Sequence, residues 1–108
     1  MKKKNIIQKE KEFTELIKNC PYKKNNYFIV YYKRNEEQNR YGISVPKKTG
    51  KAHIRNKIKR RIKSIIDNHE KDGHYPFDYV IIIRKRLIEL DYHQMEESLL
   101  HLLKKIGE

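Results

Sequence analysis

One cysteine, Cys20, stands in 108 residues, which excludes an internal disulfide and any cysteine-based zinc site. Tryptophan is absent, glycine occurs four times and proline three times, too few for a collagenous or low-complexity chain. No apolar run, Tyr79–Ile83 included, approaches the length that crosses a bilayer. Met1-Lys2-Lys3-Lys4 is not followed by the apolar stretch of a signal peptide. These absences lead us to expect a cytoplasmic protein. Acids are the scarce charge: 14 Asp plus Glu face 26 Lys plus Arg, for a net charge of +12 and a pI near 9.8.

A chain of this length has room for one core, so residues 1–108 are expected to form a single domain. The apolar share is only 37%, but these residues cluster, which argues against wholesale disorder. So much positive charge on one small domain repels itself unless a polyanion is the partner. Nucleic acid is the first candidate and an anionic membrane surface the second.

Phe13, Leu16, Ile17 and Cys20 fall at i, i+3, i+4 and i+7, predicting an amphipathic helix over 8–20 that Pro21 stops. Tyr27–Tyr32 is β-branched and aromatic, a strand by composition, and Tyr41–Val45 is a second. The polar loop 34–39 between them suggests a hairpin. After the turn Pro46–Gly50 the period changes. Ile54, Ile58, Ile62, Ile65 and Ile66 share one face of a helix reaching about Asn68. Asp78–Ile83 reads as a central strand. Asp91 and Gln94 then open a capping box before Tyr92, Met95, Leu99, Leu102, Leu103 and Ile106 at helical spacing. The expected fold class is α+β: a small mixed sheet packed with about three helices, in the order α-β-β-α-β-α. An extra short strand fits near Tyr22. The helix between the second and third main strands makes those two parallel.

The helix after Gly50 carries the chemistry. From Pro46 to Ile66 there are nine basic residues and no acid: Lys47, Lys48, Lys51, Arg55, Lys57, Lys59, Arg60, Arg61 and Lys63. At about 100° per residue the isoleucines occupy a third of the circumference. Arg55, Lys59 and Lys63 line one shoulder, Asn56, Arg60 and Lys57 continue outward, and Arg61 closes the far shoulder. A solvated helix ordinarily mixes its charges to gain i,i+4 pairs, whereas this one accepts like-charge repulsion that a phosphate backbone would relieve. Three arginines add planar forks suited to phosphate. A membrane-surface helix fits less well, because the apolar stripe lacks Trp and Phe and is needed to cover the sheet.

The segment Gly42-Ile43-Ser44-Val45-Pro46-Lys47-Lys48-Thr49-Gly50-Lys51-Ala52-His53-Ile54-Arg55-Asn56-Lys57-Ile58-Lys59-Arg60 closely resembles the signature of the ribonuclease P protein family. That family shows a Gly-Leu-Ser-Val-Ser-Lys-Lys strand and turn, then Ala, then Arg-Asn-Arg-x-Lys-Arg with a further Arg three residues on. The flanking elements resemble it too, so the likeness covers essentially the whole chain. Here the second Arg of the triplet is Lys57, the later Arg is Lys63, and Pro46 replaces a small residue. Lysine keeps the charge but not the bidentate fork.

The resemblance implies a fold like the second domain of ribosomal protein S5, and a role as protein cofactor of an RNA-based endonuclease. The catalytic site would belong to a large RNA that uses magnesium ions to hydrolyse precursor tRNA and free its mature 5′ end, with no cofactor held by the protein. Implied partners are that ribonuclease P RNA and precursor tRNA, with neither membrane nor DNA. Lys51, Arg55, Asn56, Lys57, Lys59, Arg60, Arg61 and Lys63 would face RNA, with Asn56 fixing the helix start. Phe13, Ile17 and Tyr31 would line a cleft for the single-stranded 5′ leader between the first helix and the sheet, near Lys47 and Lys48. Ile17 stands where the family often has a second Phe, which weakens stacking there. Aromatic faces accept any base, so such a cleft tolerates many leaders. Core packing accounts for Phe13 equally well. Along the first long strand, Phe28, Val30 and Tyr32 would occupy one face and Tyr27, Ile29 and Tyr31 the other.

No residues point to catalysis by the protein itself. The acids form no pair placed for two metals, and His53, His69, His74, His93 and His101 make no zinc motif. His53 reads as a surface residue or a phosphate neighbour. A structural ribosomal protein is the second functional reading and a DNA-binding regulator the third, but neither dimer geometry nor a helix-turn-helix is visible.

Overall fold

In the computed structural model, which describes residues 5–7, 9–69 and 76–106, each expected element forms. The first helix, α1, spans Glu10–Asn19, with Glu10 and Glu12 in its first turn and Lys18 in its last, an arrangement that complements the helix dipole. It ends where Cys20 turns extended and its N–H closes on the Leu16 carbonyl; Pro21 forbids a further turn. The residue where we expected it to begin, Gln8, lies outside the described residues. Strand β1 (Tyr22–Lys24) pairs antiparallel with β2 (Phe28–Arg34). Asn25 shapes the link: its Oδ1 accepts from the N–H groups of Tyr27 and Phe28, and its Nδ2 donates to Ser98 Oγ.

Strand β3 (Arg40–Ser44) leads through a 3-10 turn, Lys47–Thr49, into α2 (Ala52–His69). Strand β4 (Phe77–Ile83) follows, then a second 3-10 turn, Lys85–Glu89, and α3 (Tyr92–Ile106). The sheet order is β1-β2-β4-β3, with β4 antiparallel to β2 and parallel to β3. The parallel pair is as expected, but the hairpin between the two strands now seen as β2 and β3 does not form. Strand β4 lies between them. Its run Val80-Ile81-Ile82-Ile83 has apolar groups for both faces of the sheet, and a central position buries both. The loop of residues 35–39 bonds to the start of β4 instead of closing a hairpin. The Asn35 N–H donates to the Pro76 carbonyl, and Asn39 Oδ1 accepts from the Phe77 N–H.

The larger core lies between one sheet face and helices α2 and α3. Phe28, Val30, Tyr41, Tyr79, Ile81 and Ile83 of the sheet meet Ile58, Ile62, Ile65 and Ile66 of α2 and Met95, Leu99, Leu102 and Ile106 of α3. Each fully buried aliphatic side chain contributes about 1.5–3 kcal/mol, so α2 is fixed chiefly by its isoleucines. Ile54 departs from the expected stripe: it is 36% exposed, because the first turn of α2 stands off the core and Ile54 lies against Gly50. Helix α3 opens as expected, with Asp91 Oδ1 accepting from the Gln94 N–H and Gln94 Oε1 from the Asp91 N–H. Ser64 bonds Tyr92, and His69 Nε2 lies 2.9 Å from Glu96 Oε2, tying α2 to α3. Burial pushes the Tyr79 hydroxyl up to about 12.

Candidate nucleic-acid interface

Alternation along the strands leaves a second sheet face, and α1 covers only part of it. Register arranges that face in rows. The first is Lys24, Ile29, Ile82 and Ser44; the second Tyr22, Tyr31, Val80 and Gly42; the third Lys33, Asp78 and Arg40. Helix α1 sits over the second and third rows, where Leu16 is buried with Val80 and Ile7, and Phe13, Cys20, Tyr31 and Ile82 pack around them.

Two contacts set the position of α1. At Gly42 any Cβ would run into the edge of the Phe13 ring, so glycine lets the ring lie directly on β3. At the third row Arg40 bridges helix and sheet. Its Nε and Nη2 donate to Asp78 Oδ1 and Oδ2, both at 2.9 Å, while Nη1 reaches Glu12 Oε2 at 3.0 Å. The hydrogen bonds to Asp78 hold the Arg40 guanidinium even more firmly protonated than usual. Asn35 Nδ2 also donates to Asp78 Oδ1. A hollow on this side of α1 is lined by Glu12, Glu15 and Asp78 along with Lys33 and Arg40; its three carboxylates make it a poor seat for a polyanion.

The opposite side of α1 is different. The first row lies open, with Ile29, Ile82 and Ser44 only partly covered, and Ile17 stands 37% exposed on the helix beside it. The result is a groove floored by aliphatic groups, walled by Phe13 and Ile17, and bounded by Tyr31. Cations gather at its end. Lys24 is exposed, and so are Lys47, Lys48, Arg84, Lys85 and Arg86, which follow the C-terminal ends of β3 and β4. Among the described residues no group of three or more His, Cys, Asp or Glu is placed to hold a metal ion. His74 lies outside the described residues.

From the Lys47–Thr49 turn the chain enters α2, whose outer side is cationic. Lys51, Asn56, Lys57, Lys59 and Arg60 are exposed, while Arg61 and Lys63 are half-buried on the shoulders. No acid stands in the first turn, so the positive end of the helix dipole adds to the side-chain charge. Arg55 departs from a purely outward role: its Nε donates to the Gly50 carbonyl at 3.1 Å and fixes the turn that opens the helix. Asn56 was expected at that task. It lies four residues inside a helix starting at Ala52, too deep to cap it.

Along residues 1–107 the chain matches the profile of the Ribonuclease P family. It belongs to that family. A Ribonuclease P protein component from Mycoplasma capricolum is 44% identical over 108 residues, spanning 98% of this chain and 99% of the relative. The Geobacillus sp. component is 42% identical over 109 residues, 99% of this chain and 94% of the relative. Among solved structures, the Staphylococcus aureus RNase P protein superposes with a TM-score of 0.87 at 34% identity, covering 94% of both chains. The Thermotoga maritima RNase P protein gives 0.86 at 34% identity, covering 94% of this chain and 97% of the other. The α+β fold, with three helices on a four-stranded mixed sheet, is thus the fold of the family.

Sequence reasoning placed the α2 cations well, because a period of 3.6 separates inside from outside. Phe13 and Tyr31 pack in the smaller core on the α1 face, and Ile17 stands exposed one turn along the helix from Phe13. The expected split of β2 holds for Phe28, Val30 and Tyr32. Tyr27 is the exception. It lies outside the strand and packs on the larger core with Arg86 over its ring, 6.0 Å from the centroid. The floor of the groove (Ile29, Ile82, Ser44) is assembled only by the strand register, and the clamp at Arg40 has no local signal in the sequence. The run Arg84-Lys85-Arg86 is a second cluster of cations legible in the sequence. Among the described residues no helix is long and apolar enough to cross a membrane.

Proposed function

We propose that the chain acts as the protein subunit of ribonuclease P, anchoring the catalytic RNA through α2 and gripping the 5′ leader of precursor tRNA in the α1 groove. One observation carries this reading: between Pro46 and Ile66 nine cations and no acid accompany isoleucines that α2 turns into the core. Fold stability and phosphate binding are assigned to opposite sides of one helix. Phosphate contacts by Lys57, Lys59, Arg60 and Lys63 would release counterions and make binding strongly salt-dependent. Arg55 would offer the part of its guanidinium not engaged by Gly50.

The groove suits an unpaired strand. Aliphatic floor and aromatic wall offer stacking and apolar contact without base-edge readout, as a varied set of leaders requires. Lys47 and Lys48 lie where the groove meets α2, so one strand can engage both surfaces. Hydrolysis itself is assigned to the RNA, where magnesium ions supply the chemistry. The chain's own residues bind and align, and the partners are the ribonuclease P RNA and precursor tRNA rather than membrane or DNA.

The test is reconstitution. At low magnesium, adding the chain to a bacterial ribonuclease P RNA is expected to raise cleavage of precursor tRNA. Absence of stimulation, together with stable co-purification with ribosomal subunits, would replace this reading with a structural ribosomal role.

A further inference from the structure

Tyr22 belongs to no motif in the chain, yet it is the one exposed aromatic residue among those described, at 51%. It sits on the edge strand β1 in register with Tyr31, the ring centroids 5.2 Å apart and the planes inclined by 48°. Such a cross-strand pair stabilises a sheet, but pairing alone does not call for a large ring half in water. Its setting points further. Tyr22 continues the row of Tyr31 to the outer edge of the groove face. Exposed Lys24 lies two residues along on the same side of the strand. Ile17, in the last turn of α1 just before Pro21 and Tyr22, has no π face to offer a base.

We propose that Tyr22 is a base-stacking residue that extends the groove beyond Tyr31, holding a nucleobase of the unpaired strand at the sheet edge away from β3. The proposal rests on the leader-groove reading and deepens it. Three inter-strand spacings of about 4.8 Å put ~14 Å between β3 and β1, so a strand entering beside Lys47 and Lys48 reaches Tyr22 only after crossing the sheet. Lys24 would neutralise phosphate there. The contribution of Tyr22 therefore depends on leader length: a long leader feels it and a one-nucleotide leader does not.

The test uses the full chain reconstituted with a bacterial ribonuclease P RNA. Tyr22→Leu keeps apolar bulk against Tyr31 but removes the π face, while Tyr22→Phe keeps the ring. Base–aromatic stacking at the lower end of its usual strength, as fits a half-exposed ring at a sheet edge, predicts that Tyr22→Leu raises the Kd for long-leader precursor tRNA by roughly five- to tenfold. With a one-nucleotide leader the Kd is expected to be unchanged, and Tyr22→Phe is expected to match wild type on both. Because the chain has no tryptophan, Tyr22→Trp adds a lone indole whose emission should be quenched by the long leader and not by mature tRNA. An unchanged long-leader Kd in Tyr22→Leu, or an equal loss on both substrates, would overturn the stacking role alone. A wild-type complex that binds long-leader and mature tRNA equally would remove the groove reading and Tyr22 with it.

Discussion

The two faces of the sheet differ in how they combine the fold with the RNA binding proposed for them. On the α2 side, structure and binding are separated around one helix: Ile58, Ile62, Ile65 and Ile66 hold it to the sheet while its cations face out. On the α1 side they are merged. Phe13 and Tyr31 pack in the smaller core and also bound the open groove. A separated surface can lose a binding residue without losing stability. A merged one cannot.

The largest effect expected from breaking this comparison comes from the clamp. Arg40→Gln leaves the Asp78 carboxylate, which is 7% exposed, without its bidentate partner. Because the Arg40 side chain is itself 32% exposed and Asn35 still donates to Asp78, a loss of about 3 kcal/mol is expected, the lower end for breaking a buried pair. Denaturant unfolding would measure it, and a loss under 1 kcal/mol, of surface-pair size, would mean that α1 is held by its apolar contacts alone. Next comes Phe13→Ala. The ring is partly buried, so a loss of about 2–3 kcal/mol is expected, below that of a fully buried Phe. Long-leader affinity should fall with it, and a stable variant with weakened leader binding would show the faces to be less different than argued. The smallest stability effects belong to α2: Arg60→Ala should stay within about 0.5 kcal/mol of wild type.

What was legible in the sequence follows the same division. The α2 surface was readable because a helix buries by period, and five isoleucines among nine cations define an inside and an outside. Only Ile54, Arg55 and Asn56 strayed, all within the first five residues of α2, where the helix outruns the core. Element types along the chain were readable too, down to the reciprocal cap of Asp91 and Gln94. Sheet order was not. Strands β2 and β3 are neighbours in sequence, yet the burial demand of β4 and the bonds of Asn35 and Asn39 to its first residues place it between them. The groove inherits that difficulty, because Lys24, Ile29, Ile82 and Ser44 form a row only once the register is known. Gly42 was visible inside the signature, but its reason, the Phe13 ring, comes from a helix nearly thirty residues earlier.

The central claim, that the outer face of α2 holds RNA phosphates while its inner face holds the fold, is tested most directly by salt. Binding of a bacterial ribonuclease P RNA would be measured against salt concentration for wild type and for Arg55→Ala, Lys59→Ala and Arg60→Ala combined, with thermal unfolding of both. The log–log slope is expected to fall by roughly one unit per residue, with Arg55 the smallest contributor because of its bond to Gly50, and stability should fall by no more than the loss of that hydrogen bond, about 1 kcal/mol. An unchanged slope, or a slope change that comes only with a collapse of Tm, would contradict the account.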